Sequence, residues 1–173
     1  MRRAAALAVA CLALVPALAD SRTKPFTPRQ VAGTWTGSWS NQTFGTSGTL
    51  TLSGRTLKHG RAFRFDVDLG GNALGCPDPA AERTPTIKKG SGDNRWNRKG
   101  FRLHLVSPAY GAFLVTYSAR THKLTGGGGK PACAPAVTWK LNGRLTRASF
   151  TGSIAIDLGN GQTASSTLTA TRH

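Results

Sequence analysis

Few side chains in this sequence stand where chemistry would need them. Asp66 and Asp68 are two residues apart on one strand face, about 6.5–7 Å between Cα atoms. Paired carboxylates at such separations can serve inverting glycoside hydrolysis. They share their face with Arg64, however, opposite Phe63, Phe65, Val67 and Leu69, and so read as a solvated, charge-paired surface. His59, His104, His122 and His173 have no partner at i+2 or i+4, which leaves no spacing typical of metal ligands. His104, between Leu103 and Leu105, should point outward. Gly45-Thr46-Ser47-Gly48-Thr49 lacks the last glycine of a nucleophile elbow. Gly129-Lys130 is followed by Pro131, not by the Ser or Thr of a phosphate loop. Gly159-x-Gly161-x-x-Ala164 opens a strand, where a dinucleotide fingerprint needs a helix N-terminus. No catalytic residue, metal site or cofactor is expected.

The segment from Lys88 to Arg102 is chemically more pointed. Lys88, Lys89, Arg95, Arg98, Lys99 and Arg102 stand against a single acid, Asp93, with Trp96 in their midst. Basic side chains around an exposed aromatic suit an anionic polymer or lipid headgroups, by charge attraction plus stacking. In the competing reading Trp96 folds back onto the protein and the cations are merely solvated. The formal net charge of +16 favours anionic partners generally. No specific nucleic acid is expected.

The elements that must carry these residues are strands. Val31, Gly33, Trp35, Gly37 and Trp39 alternate with Ala32, Thr34, Thr36 and Ser38, a half-buried strand pattern in which glycines mark bends or close backbone approach. Thr27-Pro28 before it suits one helical turn. Further alternation runs through residues 49–53, 61–69, 101–105, 112–118 and 137–141, and Thr84 to Ile87 reads as a short strand. Gly126 to Gly129 read as a flexible connection and Asn142-Gly143 as a hairpin turn. The chain closes with a long strand from Ala148 to Leu158, a turn at Gly159-Asn160-Gly161, and a return from Thr163 to Thr171. Pro79 to Arg83 suits a helical turn. Short strands, hairpin turns and no βαβ spacing argue for an antiparallel sheet closed on itself.

Residues 1–19 read as a cleaved leader of bacterial type. Arg2 and Arg3 precede an apolar run from Ala4 to Val15, and Ala17-Leu18-Ala19 suits cleavage after Ala19. The protein is therefore expected to be secreted or periplasmic. The 173 residues less this leader leave 154, and losing Arg2 and Arg3 takes the charge from +16 to +14. Residues 20–30 form a tether and helical turn, and residues 31–173 one domain. Cys11 leaves with the leader, so Cys76 and Cys133 remain, each in a Pro/Gly-rich stretch. In an exported chain they most simply form one disulfide, worth roughly 3–4 kcal/mol by chain entropy.

Gly33-Thr34-Trp35, or alternatively Gly37-Ser38-Trp39, resembles the first strand of the calycin barrels, the lipocalins and avidins. The resemblance implies a tryptophan at the closed end of the barrel against a basic residue of the last strand, a position Arg172 offers through cation–π contact. Gly37-Ser38-Trp39-Ser40-Asn41-Gln42 is also similar to an avidin ligand-binding stretch, which would make Asn41 a ligand contact and Trp139 a wall. The resulting expectation is one all-β, antiparallel, lipocalin- or avidin-like barrel of about eight strands, with short helical turns only. Its expected role is to hold a small, mostly apolar ligand without catalysis. Trp35, Trp39, Asn41, Phe63, Phe65 and Trp139 are the candidate contacts. The alternative is an envelope or surface protein working through its 88–102 cations. Oligomeric state is not legible from these residues.

Overall fold

A computed structural model describes residues 24–71 and 81–173; the leader, Cys76 and the start of the 79–83 segment lie outside the described residues. Apart from two short helical turns, Pro28–Gln30 and Lys58–Gly60, the described chain is strand, turn and loop. The strands are β1 (Gly33–Asn41), β2 (Thr46–Leu57), β3 (Ala62–Leu69), β4 (Glu82–Arg83), β5 (Ile87–Lys89) and β6 (Arg95–Asn97), followed by β7 (Gly100–Ser107), β8 (Gly111–Ser118), β9 (Lys123–Gly129), β10 (Thr138–Leu145), β11 (Ser149–Asp157) and β12 (Thr163–Arg172). They form one sheet in the order β2-β1-β12-β11-β10-β9-β8-β7-β6-β5-β3, and β3 pairs back onto β2. The sheet is thus a closed barrel, and full closure leaves few free backbone edges. Every pairing is antiparallel except β5 with β6.

The barrel has eleven strands, with β4 added outside the ring on Asp66 and Val67 of β3; about eight were expected. Two causes account for the difference. The stretch between β3 and β7 contributes two short ring strands, β5 and β6, where one was expected, and Glu82–Arg83 is extended rather than helical. The second cause is β9, which contains Gly126 to Gly129, read from the sequence as a flexible connection. A Cβ at Gly128 would stand 2.2 Å from the Ala112 carbonyl oxygen and 2.4 Å from Phe113 Cβ. These glycines are strand residues because β8 and β10 approach too closely for side chains. Asn142-Gly143, read as a hairpin turn, likewise runs inside β10, paired with Ser153 and Gly152 of β11. Its turn chemistry is overridden by two flanking strands.

Alternation sets the interior. On β7, Phe101, Leu103, Leu105 and Ser107 are buried while Arg102, His104 and Val106 are exposed. On β12, Ala164, Ser166, Leu168 and Ala170 are buried and their neighbours exposed. The registers fix two ends. Trp35 lies opposite Arg172 at the end where β1 begins, here called the lower end. The N-terminal segment 24–32 and the connections β2–β3, β6–β7, β8–β9 and β10–β11 all meet there. At the upper end, Val137, Trp139, Ile156 and Ala164 form a smaller apolar cluster.

Candidate functional site

The lower end is sealed with aromatic rings. Phe26, from the segment expected to be a tether, is almost wholly buried and packs 5.8 Å from Phe63, 5.9 Å from Trp96, 5.6 Å from Phe101 and 5.6 Å from Tyr117. Its backbone N–H donates to the Arg98 carbonyl at 2.9 Å, which ties the segment across the barrel mouth. Such ring pairs each contribute about 0.5–1.5 kcal/mol beyond area burial. Trp35 sits beside them, its indole N–H donating to the Val31 carbonyl at 3.3 Å. The Arg172 guanidinium carbon is 6.0 Å from the Trp35 ring centroid, and one of its N–H groups donates to the Gln30 carbonyl. Cation–π contact and hydrogen bond together lock the last strand to the entering chain.

Above this floor lies a cavity of about 180 Å³ whose wall exposes only apolar atoms. Its lining includes Trp35, Phe65 and Trp139, together with Leu50, Phe113 and Leu141. At Gly37, Gly126 and Gly128 an added Cβ would come within 1.8, 2.7 and 2.2 Å of the Thr169, Leu114 and Ala112 carbonyl oxygens, so these glycines let neighbouring strands close up against one another. Phe150 bends over Gly143 and Gly152, where an added Cβ would come within 2.8 and 2.9 Å of its ring. One ring therefore fills the place of two missing side chains. Leu50, Phe113, Leu141 and Phe150 were not singled out from the sequence; the signal that could have found them is the same alternation that located the strands.

The remaining candidate contacts lie elsewhere. Phe63 is buried in the aromatic floor, outside the cavity lining. Trp39 is buried too, but its indole N–H donates to the Gly70 carbonyl at 2.9 Å, holding the β2–β3 edge. Asn41 Oδ1 accepts from the backbone N–H groups of Thr43 at 2.9 Å and Phe44 at 3.0 Å, so its amide oxygen is taken up by its own turn. Trp139 packs against Phe113 with ring centroids 5.3 Å apart. Its indole N–H is buried and has no hydrogen-bond partner among the described residues. Leaving such a donor unsatisfied costs about 1–3 kcal/mol.

The polar candidates are dispersed. Asp66 faces Arg83 at 3.3 Å and Arg55 at 3.7 Å, both mostly exposed, so it is a surface ion pair of small worth. His122 Nδ1 is 3.1 Å from the Tyr117 hydroxyl, and His173 Nε2 is 2.6 Å from Thr36 Oγ1. His59 and His104 are exposed. Burial raises the Tyr117 pKa above its ordinary 10.0, opposed by the positive charges of Arg144 and Arg147. No cluster of three or more His, Cys, Asp or Glu side chains fit to hold a metal occurs among the described residues.

Trp96, at the centre of the basic segment, is buried on β6. Its indole N–H donates to the Arg61 carbonyl at 3.1 Å, and Lys89 Nζ lies 5.9 Å from its ring centroid. The ring is engaged in the floor and is not displayed for stacking. The cations themselves stay outside: Lys88, Lys89, Arg95, Arg98, Lys99 and Arg102 are all exposed. Lys88 pairs with Arg95, and Arg95 with Arg102, so three cations stand side by side across three strands.

No family model matches the chain, and no curated protein matches it in sequence. Solved structures do match in fold. A protein of unknown function from the DUF3598 family of Nostoc punctiforme superposes with a TM-score of 0.55 at 8% identity, over 87% of this chain and 50% of its own. This chain therefore spans about half the length of that relative. Rv2717c from M. tuberculosis superposes with a TM-score of 0.52 at 13% identity, over 83% of this chain and 93% of its own. At these identities the likeness is one of fold, and it fits a calycin-like closed barrel.

Proposed function

We propose that the protein is exported and works without catalysis, holding one small, mostly apolar molecule inside its barrel. The observation that carries this reading is the interior, about 180 Å³ walled only by apolar atoms. Small barrels can be filled by their own side chains, whereas this one keeps a space between Leu50, Phe113, Leu141 and Ile154. An engineered apolar cavity of about 150 Å³ stays dry and takes up benzene, so the room here suits a single-ring or short branched skeleton. Burial of its apolar surface would drive binding, at roughly 25 cal/mol per Å². Export rests on the 1–19 leader. The proposal includes a Cys76–Cys133 disulfide tying the chain beyond β3 to the loop before β10.

Benzene, followed through thermal unfolding, tests the cavity. Saturating benzene should raise the unfolding midpoint of the wild type, because a ligand bound only by the folded state stabilises it. Leu141→Trp or Ile154→Trp, each filling the space from a different strand, should abolish that rise while circular dichroism stays barrel-like. An equal rise in both variants, or none in the wild type, overturns the reading. Native mass spectrometry of protein purified from its source would then identify the guest by mass.

A second reading, an anionic partner for the 88–102 cations, is favoured by the Lys88–Arg95–Arg102 row. Like charges directly opposite one another destabilise a sheet, and an external anion would relieve them.

A further inference from the structure

Charge is divided unequally between the two ends of the barrel. Among the described residues, the connections at the lower end carry eight cations: Lys24, Arg29, Lys58, Arg61, Arg98, Lys99, Arg120 and Arg147. All eight are exposed, and those connections contain no Asp or Glu. Among the described residues, the connections at the upper end carry a single cation, Lys130. No ion pair among the described residues involves any of the eight, since both such pairs centre on Asp66. Behind this rim, Lys123 stands directly opposite Arg144, repeating the like-charge juxtaposition of Lys88, Arg95 and Arg102.

We infer that the whole lower end is a docking face for an anionic lipid surface, on which the barrel stands with its sealed floor toward the headgroups. The inference deepens the second reading above and rests on it for the 88–102 cations, but extends the contact to four further connections. The distribution selects the partner. The eight cations come from five connections spaced around the barrel mouth, so they address an area; a linear polymer following a groove could meet only part of them. Sequence-tolerant binding of single strands also needs exposed aromatics for stacking, and Trp96 is buried. The exposed large apolar residues among those described are Phe44 and Val106. Phe44 lies in the β1–β2 turn at the upper end and Val106 toward the upper end of β7. With nothing apolar to insert at the lower end, attachment is by charge alone and should be fully salt-labile.

Sedimentation with vesicles tests this. The full exported protein should partition onto vesicles of phosphatidylcholine with one quarter phosphatidylglycerol and not onto pure phosphatidylcholine. Raising salt from 50 to 300 mM should lower that partition roughly tenfold. The double variant Arg120→Gln/Arg147→Gln, outside the 88–102 segment, should weaken it by about tenfold or more while unfolding at the wild-type temperature. If only Arg95→Gln/Arg98→Gln/Lys99→Gln weakens binding, the planar face is overturned and the local second reading stands. Tighter association with heparin or single-stranded DNA than with the vesicles, at equal salt, also overturns it. Binding to none of these overturns both, and leaves the benzene result for the cavity unaffected.

Discussion

The lower and upper ends of the barrel are made by the same strands, yet they are closed by different means. At the lower end an incoming segment brings Phe26 into a nest of four rings, and Arg172 joins Trp35 to the Gln30 carbonyl. The indole donors of Trp35 and Trp96 are both satisfied there. At the upper end the apolar cluster is smaller, and Trp139 is buried with its donor unused. The difference teaches where this fold is stiff and where it has slack. Rings packed on rings with every donor placed leave little room to adjust, whereas an apolar cavity beside an idle N–H leaves room for a guest.

Truncation should expose that contrast most strongly. Phe26→Ala removes the ring that four others contact, and should cost about 3–5 kcal/mol in urea unfolding. A loss under 1 kcal/mol would show that the segment only rests against the barrel. The tryptophans sharpen the comparison. Trp35→Phe loses a hydrogen bond and weakens the cation–π contact, for about 1–3 kcal/mol. Trp139→Phe removes an unsatisfied donor as well as volume, so it should stay within about 1 kcal/mol of wild type. Equal costs for the two would erase the distinction between the ends.

The smallest effect concerns alkaline pH. Because burial raises the Tyr117 pKa, the folded state holds that proton at pH values where the unfolded chain has released it. Stability is then fully present below the ordinary value of 10.0 and falls as pH rises through the higher folded value. Tyr117→Phe should flatten the fall in thermal midpoint above pH 10, and an unchanged slope would remove Tyr117 as its source.

Legibility followed how local the cause was. The phenylalanine face of β3 and the Gly159–Gly161 hairpin could be read directly, because period-two alternation and positive-φ glycines at 78° and 82° act within a few residues. The run Gly126–Gly129 could not. Glycine tetrads favour disorder when isolated, and only the backbones of β8 and β10 on either side make them a strand. Trp96 was ambiguous for a related reason. Its neighbours in sequence are charged, whereas its neighbours in space, Phe26 and the Arg61 carbonyl, lie 70 and 35 positions away.

By itself the amino-acid sequence determined that this is an all-β, strongly basic chain with a strand-borne apolar face. Those properties follow from side-chain period and composition, which need no folding to be counted. The tertiary structure alone decided that eleven strands close the ring, that three tryptophan donors are used and one is idle, and that the cations gather at the sealed end. Each of these depends on which distant backbones come within hydrogen-bonding distance, and barrel closure fixes that only when the last strand meets the first.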